Sequence, residues 1–290
     1  MKIEETFELA FQNHQKNHFE IARKLYKQIL KKQPDHFKTI FYLGTLSIQI
    51  KKFSIAKNYF DKAIQIKPNY ADAHHNLGTI LQELGDFKKA VACYEKAIQI
   101  KPNYASAYSN LGNAYNVLGN FKKAVNYCKK AIKIKPNYAS AHNNLGNAFK
   151  KLEEHKKAIT CYEKAIQVDP KYVLANYNLG KIFRELGNRS EAIKYFQKSN
   201  LISSRAELLE CIYFSDNLNN YRKMLQKLTK QDPLNLRVAT IAAYVSKKEN
   251  IKNIYPFCKN PLDFVLIKNF KNELTSINKF SENLLKKLSE

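Results

Sequence analysis

The stretch A-D-A-H-H-N-L-G-T-I-L-Q-E-L-G-D-F-K-K-A-V-A-C-Y-E-K-A-I-Q-I-K-P-N-Y at residues 71–104 decides the fold. Its apolar residues recur at helical spacing in two runs, one before Gly85-Asp86 and one after it. Glycine ends a helix readily and aspartate starts the next one well. Pro102 closes the unit, because proline has no amide hydrogen and cannot continue a helix. The stretch therefore predicts a hairpin of two helices.

The same 34-residue unit recurs along the chain. The prolines that close it are Pro34, Pro68, Pro102, Pro136 and Pro170. Glycines keep the same step at Gly44, Gly78, Gly112, Gly146 and Gly180. The predicted repeats are 3–36, 37–70, 71–104, 105–138, 139–172 and 173–206. One hairpin cannot bury its own apolar face, so successive repeats must stack into one array.

A period of 34 residues with small residues at fixed offsets resembles the tetratricopeptide repeat. The resemblance implies an all-α fold, a right-handed superhelical solenoid with a concave and a convex surface. The N-L-G and A-x-x-x-Y-x-x-A phrasing of residues 37–206 is also similar to the repeats of the protein O-linked N-acetylglucosamine transferases. Nothing after residue 206 resembles the catalytic domain of those enzymes, so the resemblance does not carry transferase activity over to this chain.

Beyond residue 206 the 34-residue register decays. Apolar helical runs continue over roughly 205–215, 219–230, 235–247 and 263–288. We interpret residues 207–290 as degenerate repeat-like helices that form a C-terminal cap. The proline-interrupted aromatic segment 255–264 is predicted to be a loop packed on the last helices. This tail faintly resembles bacterial repeat proteins in which an iron- and 2-oxoglutarate-dependent oxygenase domain comes next.

The net charge of +24 has two interpretations. A basic surface suits a polyanion such as nucleic acid. Many of the lysines, however, fall on the second helix of each repeat and its exit loop, as Lys88, Lys89, Lys96 and Lys101 do. That side is solvated in the family, so we expect no dedicated nucleic-acid partner and keep polyanion binding as an alternative.

The sequence contains no recognisable motif for catalysis or for cofactor binding. No nucleotide-binding, hydrolase or zinc-protease motif occurs, so we predict no catalytic residue, no cofactor, no metal and no small-molecule substrate. Cys93, Cys128 and Cys161 follow one another on successive second helices without paired spacing, which favours small buried residues over a disulfide or zinc framework. Neither a signal core nor a membrane span is found, and we expect a cytoplasmic protein.

Polar residues recur on the first helix of each repeat, at positions that line the concave surface in the family. The predicted peptide-binding groove consists of Asn76, Asn110, Asn113, Asn144, Asn147, Asn178, Lys150, Lys181 and Arg184. Asparagine is unfavourable inside a helix compared with most residues, so its repetition at one position indicates a role other than helix formation. Each amide can donate and accept, so the row could hold the backbone of an extended peptide. Alternatively, the amides solvate the groove or bond neighbouring helices.

The sequence thus predicts an all-α scaffold that binds a protein or an extended peptide. Two alternatives stay open. In the first, the chain is a recognition arm for an enzyme on another chain, either an O-linked N-acetylglucosamine transferase or a 2-oxoglutarate oxygenase. In the second, it binds polyanions through its lysine-rich exterior.

Overall fold

The computed structural model describes residues 2–215, 218–232 and 234–255, and these residues form fifteen α-helices and no strand. The helices are α1 (Ile3–Gln15), α2 (Phe19–Lys32), α3 (Phe37–Gln49), α4 (Phe53–Ile66), α5 (Ala71–Glu83), α6 (Phe87–Ile100), α7 (Ala105–Val117), α8 (Phe121–Ile134), α9 (Ala139–Lys151), α10 (His155–Val168), α11 (Val173–Glu185), α12 (Arg189–Ser199), α13 (Ile202–Tyr213), α14 (Leu218–Gln231) and α15 (Leu236–Lys248). The predicted helical run 263–288 and all but the first residue of the predicted loop 255–264 lie outside the described residues. In the described part, no helix combines the length and apolarity that crossing a membrane requires.

The contacts divide the chain into two compact units. The first unit, called the N-terminal unit below, ends at Pro170, and the second, called the C-terminal unit, begins at Lys171. In the N-terminal unit the ten helices α1–α10 form five hairpins, and each hairpin packs against the next one along the chain. The predicted all-α tetratricopeptide architecture is confirmed. In the C-terminal unit α11 and α12 form one further hairpin, and α13, α14 and α15 follow it.

The turn between α5 and α6 has the chemistry that the sequence predicts. Gly85 has a φ of 82°, in the left-handed region that glycine adopts without a steric penalty. The Asp86 side chain then accepts a hydrogen bond from the amide of Lys89, at 3.1 Å. This bond satisfies one of the amides at the start of α6 that have no partner within the helix.

The two helices of a hairpin cross closely because a glycine faces a ring. A Cβ atom added to Gly146 would lie 2.6 Å from a ring carbon of Tyr162, and Gly78 faces Tyr94 at 2.7 Å in the same way. The ring therefore fills its own hairpin. In the repeat 105–138 the ring is replaced by a thiol, and a Cβ atom on Gly112 would lie 2.4 Å from the Sγ atom of Cys128.

Two histidines connect first helices to the loops that precede them. His142, on α9, is almost fully buried, and its Nε2 atom lies 2.8 Å from the carbonyl oxygen of Pro136 in the preceding loop. His74 makes the same contact with Pro68, also at 2.8 Å. Because a carbonyl oxygen only accepts, each Nε2 carries the proton and ties the start of a first helix to the loop before it.

We expect Gly146→Ala to destabilise the fold by about 1–3 kcal/mol through overpacking against Tyr162. Urea denaturation followed by circular dichroism measures the effect, with the exposed Lys122→Ala as the control. In a Tyr162→Ala background the added methyl group has room, so Gly146→Ala should there be neutral or stabilising. An equal loss in both backgrounds would contradict the proposed contact.

Candidate functional site

In the N-terminal unit, the first helices of the hairpins lie on the inner side of the stack. α1 contacts α3, α3 contacts α5, α5 contacts α7 and α7 contacts α9, although a second helix lies between them along the chain. The second helices of this unit make no comparably close contacts with one another. Because the hairpins approach more closely on the first-helix side, the stack curves toward that side. We call the surface formed by α3, α5, α7 and α9 the inner face.

The inner face carries most of the predicted groove residues, and all of them are partly buried. Those of the N-terminal unit are Asn76 on α5, Asn110 and Asn113 on α7, and Asn144, Asn147 and Lys150 on α9. The remaining three, Asn178, Lys181 and Arg184, lie on α11 in the C-terminal unit. The structure therefore places the first six on one continuous surface.

Two of the asparagines connect neighbouring repeats. The Nδ2 atom of Asn144 donates to the carbonyl oxygen and to the Oγ atom of Ser109, at 3.3 and 3.2 Å. One repeat earlier, the Nδ2 atom of Asn110 lies 3.2 Å from the Nε2 atom of His75. Both bonds join residues 35 positions apart, so the same device is used twice. This geometry favours the alternative in which these amides bond neighbouring helices.

Asn113 differs from the asparagine at the same position of the next repeat. The hydroxyl of Tyr162 donates to the Oδ1 atom of Asn147 at 2.8 Å, and the hydroxyl of Tyr94 lies 3.5 Å from the Oγ1 atom of Thr79. In the repeat between them Cys128 takes the place of the tyrosine, so no hydroxyl reaches the corresponding residue. The Asn113 side chain has no hydrogen-bond partner among the described residues and is partly exposed.

Asn116 adds a second unsatisfied group to α7. Its Nδ2 atom donates to the carbonyl oxygen of Asn144 at 2.8 Å, while its buried Oδ1 atom has no partner in the described part of the chain. Residue 116 lies one helical turn after Asn113, which places both side chains on the same side of α7. Asn116 is not among the predicted groove residues, and the sequence could not show its bond to α9.

The residue that precedes the first groove asparagine of a repeat contributes little to the inner face. Ser109 is fully buried and Asn143 is 3% exposed, so neither offers a polar group to a ligand. Ser109 instead receives the hydrogen bonds of Asn144. His75, at the same position, is held between the rings of Tyr94 and Tyr104, whose centroids lie 5.7 and 4.9 Å from its own.

His75 adds a neutral group to the inner face. Burial lowers the pKa of His75, and a hydrogen bond with Asn76 opposes that effect. The imidazole is therefore neutral at neutral pH, which leaves its Nε2 atom able to accept from Asn110. No group of three or more His, Cys, Asp or Glu residues that could hold a metal ion occurs in the described ranges.

In the C-terminal unit the predicted groove cations are engaged with neighbouring side chains. Arg184 forms ion pairs with Glu207 and with Glu210, the second at 3.1 Å. Glu207 is fully buried and also pairs with Arg237 at 3.1 Å. The ammonium group of Lys181 lies 5.6 Å from the centre of the Tyr177 ring. The Arg184 charge is thus compensated within the unit. The network of these ion pairs joins α11 to α13 and α15.

Comparison with known families identifies the repeats. Models described as tetratricopeptide repeat match residues 39–70, 59–92, 105–138, 139–172 and 161–194, and one described as TPR repeat matches 78–119. Together the matches span residues 39–194, which is more than half of the chain. The chain belongs to the tetratricopeptide-repeat family, whose fold is typically a non-catalytic scaffold for protein interaction.

Solved structures of other proteins share this fold. The crystal structure of MamA is 25% identical, with a TM-score of 0.53, and the match covers 58% of this chain and 92% of that one. PilW, a type IV pilus biogenesis factor, is 19% identical, with a TM-score of 0.64 and coverage of 71% and 97%. YrrB is 18% identical, with a TM-score of 0.50 and coverage of 66% and 97%. A search of curated proteins gave no significant match.

Acid should weaken the N-terminal unit because burial lowers the pKa of His75. Below the ordinary histidine pKa of about 6.5, the unfolded chain binds the proton more readily than the native one, so stability is lost as the pH falls. The pKa values of His14 and His36 shift in the same direction, mainly through burial.

Melting temperatures measured from about pH 7.5 down to about pH 5.5, a range that brackets the histidine pKa, test this prediction. His75→Gln should flatten the decrease in part, whereas the control His18→Gln, at an exposed position, should leave it unchanged. A decrease that His75→Gln does not alter would contradict the assignment.

The contribution of the buried ion pairs of Glu207 to the free energy of unfolding should also be measurable. Glu207→Gln removes the negative charge between Arg184 and Arg237, and breaking a buried pair in this way costs about 3–5 kcal/mol. Urea denaturation should show this loss, whereas Glu163→Gln, which changes an exposed residue of α10, should have little effect. Equal stability of the two variants would show that the buried network does not hold the helices together.

Proposed function

We propose that this chain is a scaffold that binds an extended peptide or protein segment along the inner face of its N-terminal unit. The tetratricopeptide repeats support a role in protein interaction. YrrB, which shares the fold, is described as a TPR protein with an unusual peptide-binding site, so the fold accommodates peptide binding. Catalysis is not part of the proposed role, and we place the chain in the cytoplasm.

The observation that carries the proposal is the unpaired amide of Asn113. A side-chain amide has one acceptor oxygen and two donor hydrogens, so it complements a peptide unit, which offers one acceptor and one donor. Hydrogen bonds from such an amide to the backbone of a ligand do not depend on the ligand's side chains. Partners of varied sequence could therefore occupy the same face.

The neighbouring asparagines hold this amide in place. Asn110 and Asn144 bond the preceding repeat, and Asn147 accepts from Tyr162, so the helices on both sides of Asn113 are fixed before a ligand arrives. A pre-ordered surface loses less conformational entropy on binding. Within the predicted groove we therefore assign contact to Asn113 and bracing to Asn110 and Asn144, with Asn76 and Lys150 at the two ends.

The sequence motifs of the repeats favour one further candidate function. Because residues 37–206 are similar to the repeats of the O-linked N-acetylglucosamine transferases, the same face could present a protein to an enzyme on another chain. Co-purification of such an enzyme with the intact chain would support this arm role. Binding of peptides without any associated enzyme activity would favour the independent scaffold.

Selection from a displayed peptide library, followed by fluorescence polarisation on the selected peptides, tests the groove. Asn113→Ala should weaken binding by roughly 0.5–1.5 kcal/mol, the net value of a hydrogen bond, without lowering the melting temperature. Asn126→Ala is the matched control, since residue 126 is an exposed asparagine on α8. Asn144→Ala should instead lower the melting temperature, because it breaks bonds between repeats. Unchanged affinity in a stable Asn113→Ala variant would place the binding site elsewhere.

A further inference from the structure

A cavity of about 560 Å³ opens between α12 and α14 in the C-terminal unit. Its apolar lining comes from Ile193 on α12, Ile212 on α13 and Met224 on α14. Ile212 is 6% exposed and belongs to the core, while Ile193 and Met224 pack against that core and remain partly exposed. The cavity is therefore an opening in the outer surface of the unit with an apolar floor.

The rim of the cavity on the α14 side is strongly basic. Lys223 and Lys227 line it, one helical turn apart, and both are exposed. The basic residues of α14 are Arg222, Lys223, Lys227 and Lys230, and the helix contains no acidic residue. None of these four forms an ion pair with another described residue. Some other exposed lysines are compensated, as Lys194 is by Glu191 at 3.2 Å.

An apolar cavity beside uncompensated cations fits an anionic ligand that also carries an apolar anchor. Serine and glutamine side chains at Ser190, Gln197 and Ser215 complete a polar rim of the kind that surrounds the anchor pockets of protein interfaces. A second copy of this chain, with its net charge of +24, would be repelled by the same lysines. A nucleic-acid backbone would use the charges and leave the apolar floor without a partner.

We propose that the α12–α14 cavity is a second docking site, which takes an acidic amphipathic segment of a partner protein. A large apolar side chain of that segment fills the cavity over Ile193 and Met224, and its carboxylates face Lys223 and Lys227. The site lies outside the inner face, so it operates independently of the proposed peptide groove.

The test uses the full chain and a fluorescein-labelled, helix-forming peptide with leucines on one face and glutamates on both flanks. Lys223→Gln/Lys227→Gln should weaken binding of this probe about tenfold, as should Met224→Gln, which preserves the charge. The matched control is Lys129→Gln/Lys133→Gln, which removes two exposed lysines at the same spacing from α8. It should change affinity by no more than about twofold, the scale of an exposed charge contact.

Three outcomes would overturn the proposal. Equal losses in the two double-lysine variants would assign binding to net charge alone. Full affinity of Met224→Gln, or of the probe after its leucines are changed to alanine, would exclude the cavity. Tighter binding of single-stranded RNA that ignores Met224→Gln would assign α14 to a polyanion. Asn113→Ala should leave probe affinity unchanged, which separates a failure here from a failure of the groove.

Discussion

The close crossing of two helices within each hairpin is the contact on which the rest of the structure depends. Gly78 and Gly146 leave room for the rings of Tyr94 and Tyr162, and the alanines at the same crossings, such as Ala90, are fully buried. With the helices this near, each hairpin becomes a flat unit with apolar surface on both sides. That surface must be covered by neighbours, so the N-terminal unit grows by stacking and needs no single large core.

The inner face follows from the same geometry, and in the proposed function it gives asparagine two distinct uses. Stacking brings Asn144 within reach of Ser109 and Asn110 within reach of His75, so a polar residue that weakens an isolated helix strengthens the array. In the repeat where Cys128 replaces the tyrosine, no hydroxyl is present to form a hydrogen bond with Asn113. The amide of Asn113 is then available to a ligand without any change in the backbone.

The sequence predicted the hairpins well because their determinants are local. Prolines and glycines set the ends of helices, and helical spacing of apolar residues set the buried faces, as Pro102 and Gly85 illustrate. The partners of the groove residues were not predictable in this way, because they depend on how far one repeat is rotated against the next. The pairing of Arg184 with Glu207 was also out of reach, since Glu207 lies where the 34-residue register has already decayed. The freedom of Asn113 did have a signal in the sequence, namely the cysteine at 128 where three other repeats have Tyr26, Tyr94 and Tyr162.

The lysines that give this chain its charge are not equivalent, because some are held against aromatic rings and others border the α12–α14 cavity. Lys123 and Lys130 of α8 lie 5.1 and 5.5 Å from the centres of the Tyr115 and Tyr127 rings, so their charges are held against aromatic faces. Recruiting them to a ligand would give up these contacts. Lys223 and Lys227 have neither a ring nor a carboxylate beside them among the described residues. Their charges would be compensated only when an anionic partner arrives, and an adjoining apolar cavity lets that partner gain burial as well.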